Sequence, residues 1–194
     1  MDQQTWAGAV REVWHTAVRH KIASGLVALC VAASLVAVAV VASGPAGSAG
    51  SAGSAPAPAA PSFSLAVLGH SGQKVALSDY AGRPLIVNFF ASWCGPCQQE
   101  TPLLARFYRT EHGKVAIVGL DENDVLGSAM SFTHKEGVDY PVGFDPGVIA
   151  ASAYGVAGLP QTFFLNAKHR IVDRVFGAVT LADINRGIAL ATAG

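Results

Sequence analysis

The stretch "PLIVNFFASWCGPCQQETP", Pro84 to Pro102, runs from an eight-residue apolar segment straight into two cysteines and a helix-forming sequence. A short continuous apolar run bounded by turn residues is the pattern of a strand buried on both faces, and such a strand requires a sheet covered by helices on each side. Cys94 and Cys97 then fall at the first turn of the helix that leaves this strand. Few chemistries place two thiols there.

The alternation of strand-like and helix-like segments continues on both sides. "FSLAVL" and "KVALS" flank "GHSGQ" as a hairpin, "KVAIVGLD" reads as a second buried strand, and "VLGSAMSFTHKEG" reads as a helix stopped by Gly137. "PQTFFLN" and "RIVDRVF" form a strand pair joined by "AKH", and "LADINRGIALAT" closes the chain as an amphipathic helix. The helix that starts at the cysteines is expected to end near His112, with Gly113 as its stop and a kink at Pro102. One parallel crossover followed by an antiparallel pair predicts an α/β fold built on a central mixed sheet flanked by helices.

This folded part spans residues 62–194, and what precedes it differs in kind. The chain as a whole is 51% hydrophobic and only 13% charged, more apolar than a soluble domain requires. The excess lies in "IASGLVALCVAASLVAVAVVAS", Ile22 to Ser43, a run without charge, proline or amide. As a helix it would extend about 33 Å, enough for a hydrocarbon core of about 30 Å. It is expected to be one transmembrane anchor; a cleaved signal peptide is the alternative, disfavoured by the length of the run and the 21 residues ahead of it. Cys30 inside the span reads as a small packing residue. Arg11, Arg19 and Lys21 precede the span and no Lys or Arg follows until Lys74. The positive-inside rule therefore places residues 1–21 in the cytoplasm and the folded domain outside the cell membrane, in a periplasmic or extracytoplasmic space. Between them residues 44–61, "GPAGSAGSAGSAPAPAAP", contain only Gly, Ala, Ser and Pro and read as a flexible tether. The formal net charge is zero, which leaves no basic field for nucleic acid.

Each possible use of the cysteine pair makes its own demand. A bridge closing so short a loop adds little stability, so a purely structural disulfide is disfavoured. Zinc needs four ligands, whereas the domain has two cysteines and singly scattered His70, His112, His134 and His169, read as exposed loop histidines. No metal and no cofactor is implied. Two thiolates suffice for copper(I), so a copper carrier remains as an alternative. A cysteine-dependent peroxidase would want Pro and Thr upstream, where Val87 and Ala91 stand. Dithiol exchange fits best. Unpaired N–H groups at a helix start favour a thiolate at Cys94, and Cys97 lies one turn on to resolve a mixed disulfide. Gly95 permits close approach of a partner chain, and Pro96 costs nothing in a first helical turn.

"FFASWCGPCQQETP" together with "YGVAGLPQTFFLN" resembles the thioredoxin superfamily, and "FSLAVLGHSGQKVALSDYAGRPLIVNF" resembles its membrane-anchored extracytoplasmic branch, the TlpA/ResA/CcmG (DsbE) type. The resemblance implies a thioredoxin fold with an N-terminal β-hairpin extension, and a strand-helix insertion at "VGFDPGVIAASAYGV". It implies a thiol-disulfide oxidoreductase that reduces disulfides in exported proteins, among them apocytochrome c during cytochrome c biogenesis. It also implies a membrane thiol electron donor of the CcdA/DsbD kind, and a monomeric chain is expected. Cys94 and Cys97 match the redox-active disulfide, Pro160 the proline that faces it through a cis peptide bond, with Leu159 left to pair with substrate, and Trp93 the aromatic beside the site. Asn88 stands where thioredoxin keeps a buried carboxylate, and Glu100, three residues beyond Cys97 on the same helical face, is the expected proton acceptor in its place. Gln161 departs from the acidic residue of many cytochrome-maturation members, which keeps a general reductase equally open. A disulfide-forming oxidase of the same fold is the other alternative, although the Gly95-Pro96 dipeptide is that of the reductant thioredoxin.

Overall fold

The computed structural model describes residues 56–111 and 115–193. The expected membrane span, most of the tether and the expected helix stop at Gly113 lie outside the described residues, as does His112. Among the described residues no helix is long and apolar enough to cross a membrane.

The chain opens with β1 (Ser64–Val67) and β2 (Lys74–Ala76), the expected hairpin, followed by a 3-10 turn at Leu77–Tyr80. The buried strand β3 (Leu85–Phe90) leads into α1 (Gly95–Thr110), then β4 (Ala116–Glu122), α2 (Leu126–Lys135) and β5 (Val142–Asp145). A short helix α3 (Ile149–Tyr154), the antiparallel strands β6 (Gln161–Leu165) and β7 (Ile171–Phe176), and α4 (Leu181–Thr192) complete it. The strands form one mixed sheet in the order β2-β1-β5-β4-β3-β6-β7.

Two strand pairs, β3 with β4 and β4 with β5, are parallel, not the single crossover expected from pattern alone. The difference lies in "VGFD": α2 returns the chain so that this segment adds beside β4, and β1 then pairs antiparallel with its outer edge. The N-terminal hairpin is thus an extension of the sheet itself. Helix α1 ends at Thr110 with Glu111 as its cap, and it continues through Pro102 as one helix. Gly137 ends α2 as expected, at φ 65°, a backbone region open to glycine.

Strand periodicity sorts the core onto two faces. All six residues of β3 are buried: Val87 and Phe89 join Val118, Leu120, Phe163 and Tyr154 on one face, while Ile86 and Phe90 join Ile117, Leu104, Phe164 and Ile184 on the other. Each fully buried Phe or Ile side chain contributes about 1.5–3 kcal/mol. Helix α4 approaches so closely that a Cβ on Gly187 would collide with the Phe164 ring. Both cysteines belong to the second face.

The last tether residues are tied to the domain. Ala60 N–H donates to His169 O (2.9 Å), Ile171 N–H to Pro58 O (2.9 Å) and the Arg170 guanidinium to Ala57 O (2.9 Å). These bonds use backbone groups that composition does not reveal, so the boundary lies nearer Ala57 than Ser62. The β6–β7 turn they grip stands at the Leu85 end of β3, the pole opposite Cys94, because Leu85 pairs with Leu165 and Phe89 with Gln161.

Candidate redox site

Strand β3 ends at Phe90, and the turn Ala91–Trp93 delivers Cys94 to the N-cap of α1. Its backbone is extended there (φ −83°, ψ 111°), and its Sγ accepts the Cys97 N–H at 3.2 Å, one of the amides a helix start leaves unpaired. Cys94 and Cys97 are joined as a disulfide, with Cα atoms 5.2 Å apart. Cys97 is fully buried and Cys94 keeps slight exposure (5%), so the outer sulfur is the one an incoming chain can reach. Gly95 and Pro96 are exposed and nothing crowds the Gly95 Cα. Trp93 is 59% exposed, with its indole N–H bonded to Asn123 O at 2.9 Å, which places the ring at the surface beside Cys94 and outside the core.

The turn is held from below. Ser92 N–H donates to Asp124 Oδ2 (2.5 Å), and the Gln98 amide donates to Ser92 O (2.8 Å). On the other side the Leu159–Pro160 peptide bond is cis, as the resemblance implied. Leu159 packs against the cluster that contains both cysteines, and Pro160 O accepts from Gly177 N–H.

Behind the disulfide lies a buried polar group that sequence reading divided in two. Glu100 is only 1% exposed; its Oε1 accepts from Asn88 Nδ2 (2.7 Å) and its Oε2 from Val179 N–H (2.8 Å). Asn88 Nδ2 also reaches Thr162 Oγ1 at 3.0 Å. The asparagine is therefore the partner of the helix carboxylate. Burial pushes Glu100 up to about 7, against the lowering effect of the Val179 and Asn88 hydrogen bonds. A carboxyl group with that affinity takes and releases protons near neutrality, one helical turn from Cys97.

Gln161 is fully buried; with its amide turned to satisfy both groups, its oxygen accepts from the Arg174 guanidinium at 3.0 and 2.6 Å. The described histidines, His70, His134 and His169, make none of the hydrogen bonds around the disulfide. His70 is exposed, as is His134 in the last turn of the expected helix α2, and His169 is half-buried with Nε2 3.0 Å from Tyr80 O. Among the described residues no group of His, Cys, Asp and Glu is arranged to hold a metal ion. Sequence reading missed Thr162 and Val179, which reach the site only through β6 and the start of α4. It also missed Asp121 and Asp124, whose one signal was an acid closing the apolar run "KVAIVGLD".

Comparison with known proteins adds four matches. The profile of the redoxin family matches residues 55–186. The thiol-disulfide oxidoreductase ResA of Bacillus thuringiensis (strain Al Hakam) is 31% identical over 110 residues, covering 56% of this chain and 64% of that protein. ResA of Bacillus subtilis (strain 168) is 32% identical over 116 residues, 59% of this chain and 65% of that one. The chain thus spans just under two thirds of the length of these curated relatives. The crystal structure of a thioredoxin family thiol:disulfide interchange protein from Chlorobium tepidum TLS superposes with a TM-score of 0.61 at 28% identity, covering 70% of this chain and 96% of that one.

Proposed function

The chain belongs to the redoxin family, and on that premise we propose that it is a thiol-disulfide oxidoreductase of the ResA/DsbE type that reduces disulfides in exported proteins. The observation that carries this reading is the pair itself: a slightly exposed Cys94 whose Sγ caps a helix, a fully buried Cys97 behind it, and a carboxyl group of near-neutral affinity one turn further on.

In the reduced protein the helix-start amides stabilise the Cys94 thiolate. That thiolate attacks one sulfur of a substrate disulfide and expels the other as a thiolate, leaving a mixed disulfide on Cys94. Cys97 gives its proton to Glu100 and attacks Cys94 Sγ, which releases the second substrate sulfur and closes the Cys94–Cys97 bond. Two electrons pass to the substrate, and the domain must be reduced again by an outside dithiol. Trp93, Gly95, Pro96, Leu159 and Pro160 form the surface against which the substrate segment lies.

The charge-free span Ile22–Ser43 and its basic flank support tethering to the cell membrane with the N-terminus in the cytoplasm and the domain outside. A membrane thiol transporter of the CcdA/DsbD kind is the matching electron donor, and apocytochrome c is one substrate of the right class. Incubating the reduced Cys97→Ser protein with a disulfide-bonded test protein should trap a mixed disulfide through Cys94, and Cys94→Ser should trap none. Equal behaviour of the two variants would overturn the assignment of roles. For the tether, the domain should sit in the membrane fraction and react with a membrane-impermeant thiol reagent in intact cells; recovery wholly in the soluble secreted fraction would refute it.

A further inference from the structure

Beneath the turn that carries Trp93 and Cys94 lies a pair of acids the exchange reaction does not use. Asp121, near the end of β4, is 0% exposed, and neither of its oxygens meets a hydrogen-bond donor. It stands in register with Phe90 of β3, and strand alternation sets it on the Ile117 face of the sheet, the face that holds both cysteines. Three residues on, Asp124 spends both oxygens on backbone: Oδ2 accepts Ser92 N–H (2.5 Å) and Oδ1 accepts Val125 N–H (2.6 Å). Asn123 O, between them in sequence, takes the Trp93 indole N–H. The end of β4 thus grips the turn at two successive residues, Ser92 and Trp93, immediately before the reactive cysteine.

A carboxylate buried without a donor is costly, and keeping its proton removes the cost. A carboxylic acid beside an ionised one then has an acceptor for that proton. Burial, followed by the charge and hydrogen bonding of Asp124 and the charge of Glu122, pushes Asp121 up to about 8. The charges acting on it are both acidic. Glu122 itself feels Asp145 of β5, β3 presents the apolar Phe90, and Cys94 on the turn becomes a further anion only when reduced.

We propose that Asp121 is a positioning residue for the Cys94 turn: as a neutral acid it donates a hydrogen bond to Asp124 and steadies that carboxylate on Ser92 N–H, and loss of its proton sets two carboxylates side by side and loosens the turn. The domain then carries a device that weakens its own site in alkaline conditions, through a group that never touches substrate.

The test uses the full-length oxidised protein, in which Cys94 and Cys97 are bonded to each other and do not titrate, carrying Trp6→Phe and Trp14→Phe so that Trp93 is the only indole. Its fluorescence should change with a midpoint near pH 8, the value toward which Asp121 is pushed. Asp121→Asn, which keeps a donor toward Asp124 and cannot ionise, should abolish the transition. Asp124→Asn should move it to lower pH by removing the neighbouring charge, and Glu100→Gln should leave it in place. The effect on exchange rests on the oxidoreductase reading and is measured separately, as the rate at which a small dithiol reduces the disulfide. Taking the ratio of Asp121→Asn to wild type cancels the reagent's own ionisation. That ratio should grow about fivefold between pH 6.5 and 9.5, the effect of one added charge near an anionic nucleophile. A Trp93 transition that survives in Asp121→Asn, or none in the wild type, overturns the proposal. A transition lost in Asp121→Asn, in a protein that exchanges no disulfide at any pH, upholds the grip and refutes the oxidoreductase reading.

Discussion

Replacing Glu100 by Gln probes the buried carboxyl group by its effect on folding, independently of any substrate. Gln keeps the shape and mimics the protonated acid, with one acceptor and one donor end. In the folded protein Glu100 is pushed from the ordinary 4.5 up to about 7. A folded-state affinity above the unfolded one means that the native protein holds the proton between these two pH values while the unfolded chain has lost it. Stability is therefore fully present below about pH 4.5, declines as pH rises, and levels off above about pH 7. Two and a half pH units correspond to about 3 kcal/mol. The variant has no such group, so its stability relative to wild type should rise by about 3 kcal/mol between pH 4 and pH 8 and then stay constant. Urea unfolding of both oxidised proteins across that range measures the difference, and the contributions of all other titrating groups cancel. Parallel curves with a constant gap would mean that Glu100 is already ionised at mild acidity, which would remove it as the proton acceptor for Cys97.

Further expectations concern the pair, the packing and a cap. The Gly95-Pro96 dipeptide places the potential nearer thioredoxin's value of about −270 mV than DsbA's of about −120 mV; equilibration with glutathione giving a potential above about −170 mV would make the protein an oxidase. Gly187→Ala should cost about 1–3 kcal/mol in urea unfolding, since its Cβ would run into the Phe164 ring and a ring on a packed strand yields little. Asp145 accepts the amides of Ile149, Ala150 and Ala151 at the start of α3, so Asp145→Ala should cost about 1–2 kcal/mol. An unchanged unfolding midpoint would deny the cap its role.

The Cys94–Cys97 pair was legible in the sequence because its geometry is local: Cys94 caps the helix that carries Cys97 and Glu100, and helical spacing alone puts the last two on one face. Strand β3 was equally plain, since a strand buried on both faces has to be apolar throughout, and Asn88 stands out in it for that reason. What could not be read is anything that needs two elements brought together. Asn88 and Glu100 are twelve residues apart in sequence and meet only because α1 packs back on β3. The grip of Asp124 on Ser92 spans thirty-two residues and depends on the parallel register of β3 with β4. The bonds from Ala57, Pro58 and Ala60 to the β6–β7 turn use backbone groups in a stretch whose side chains carry no signal.

Those last bonds fix where force enters the domain. A pull along the N-terminal chain is borne by the Ala60–His169, Ile171–Pro58 and Arg170–Ala57 hydrogen bonds at the β6–β7 turn, while the cysteines stand at the other pole, beyond the full length of β3. Six residues of strand put about 20 Å between them. Load on the N-terminal chain and chemistry at the disulfide are thus mechanically separate, since a domain held at Ala57 carries its disulfide at the far end of β3. If the chain is anchored as proposed, a soluble protein meets the disulfide directly, whereas a membrane-embedded donor is reached only when the whole domain turns over on its leash. On that proposal the length of "GPAGSAGSAGSAPAPAAP" governs recharging more than delivery, and trimming it should starve the pair of electrons before it hinders encounter with substrate.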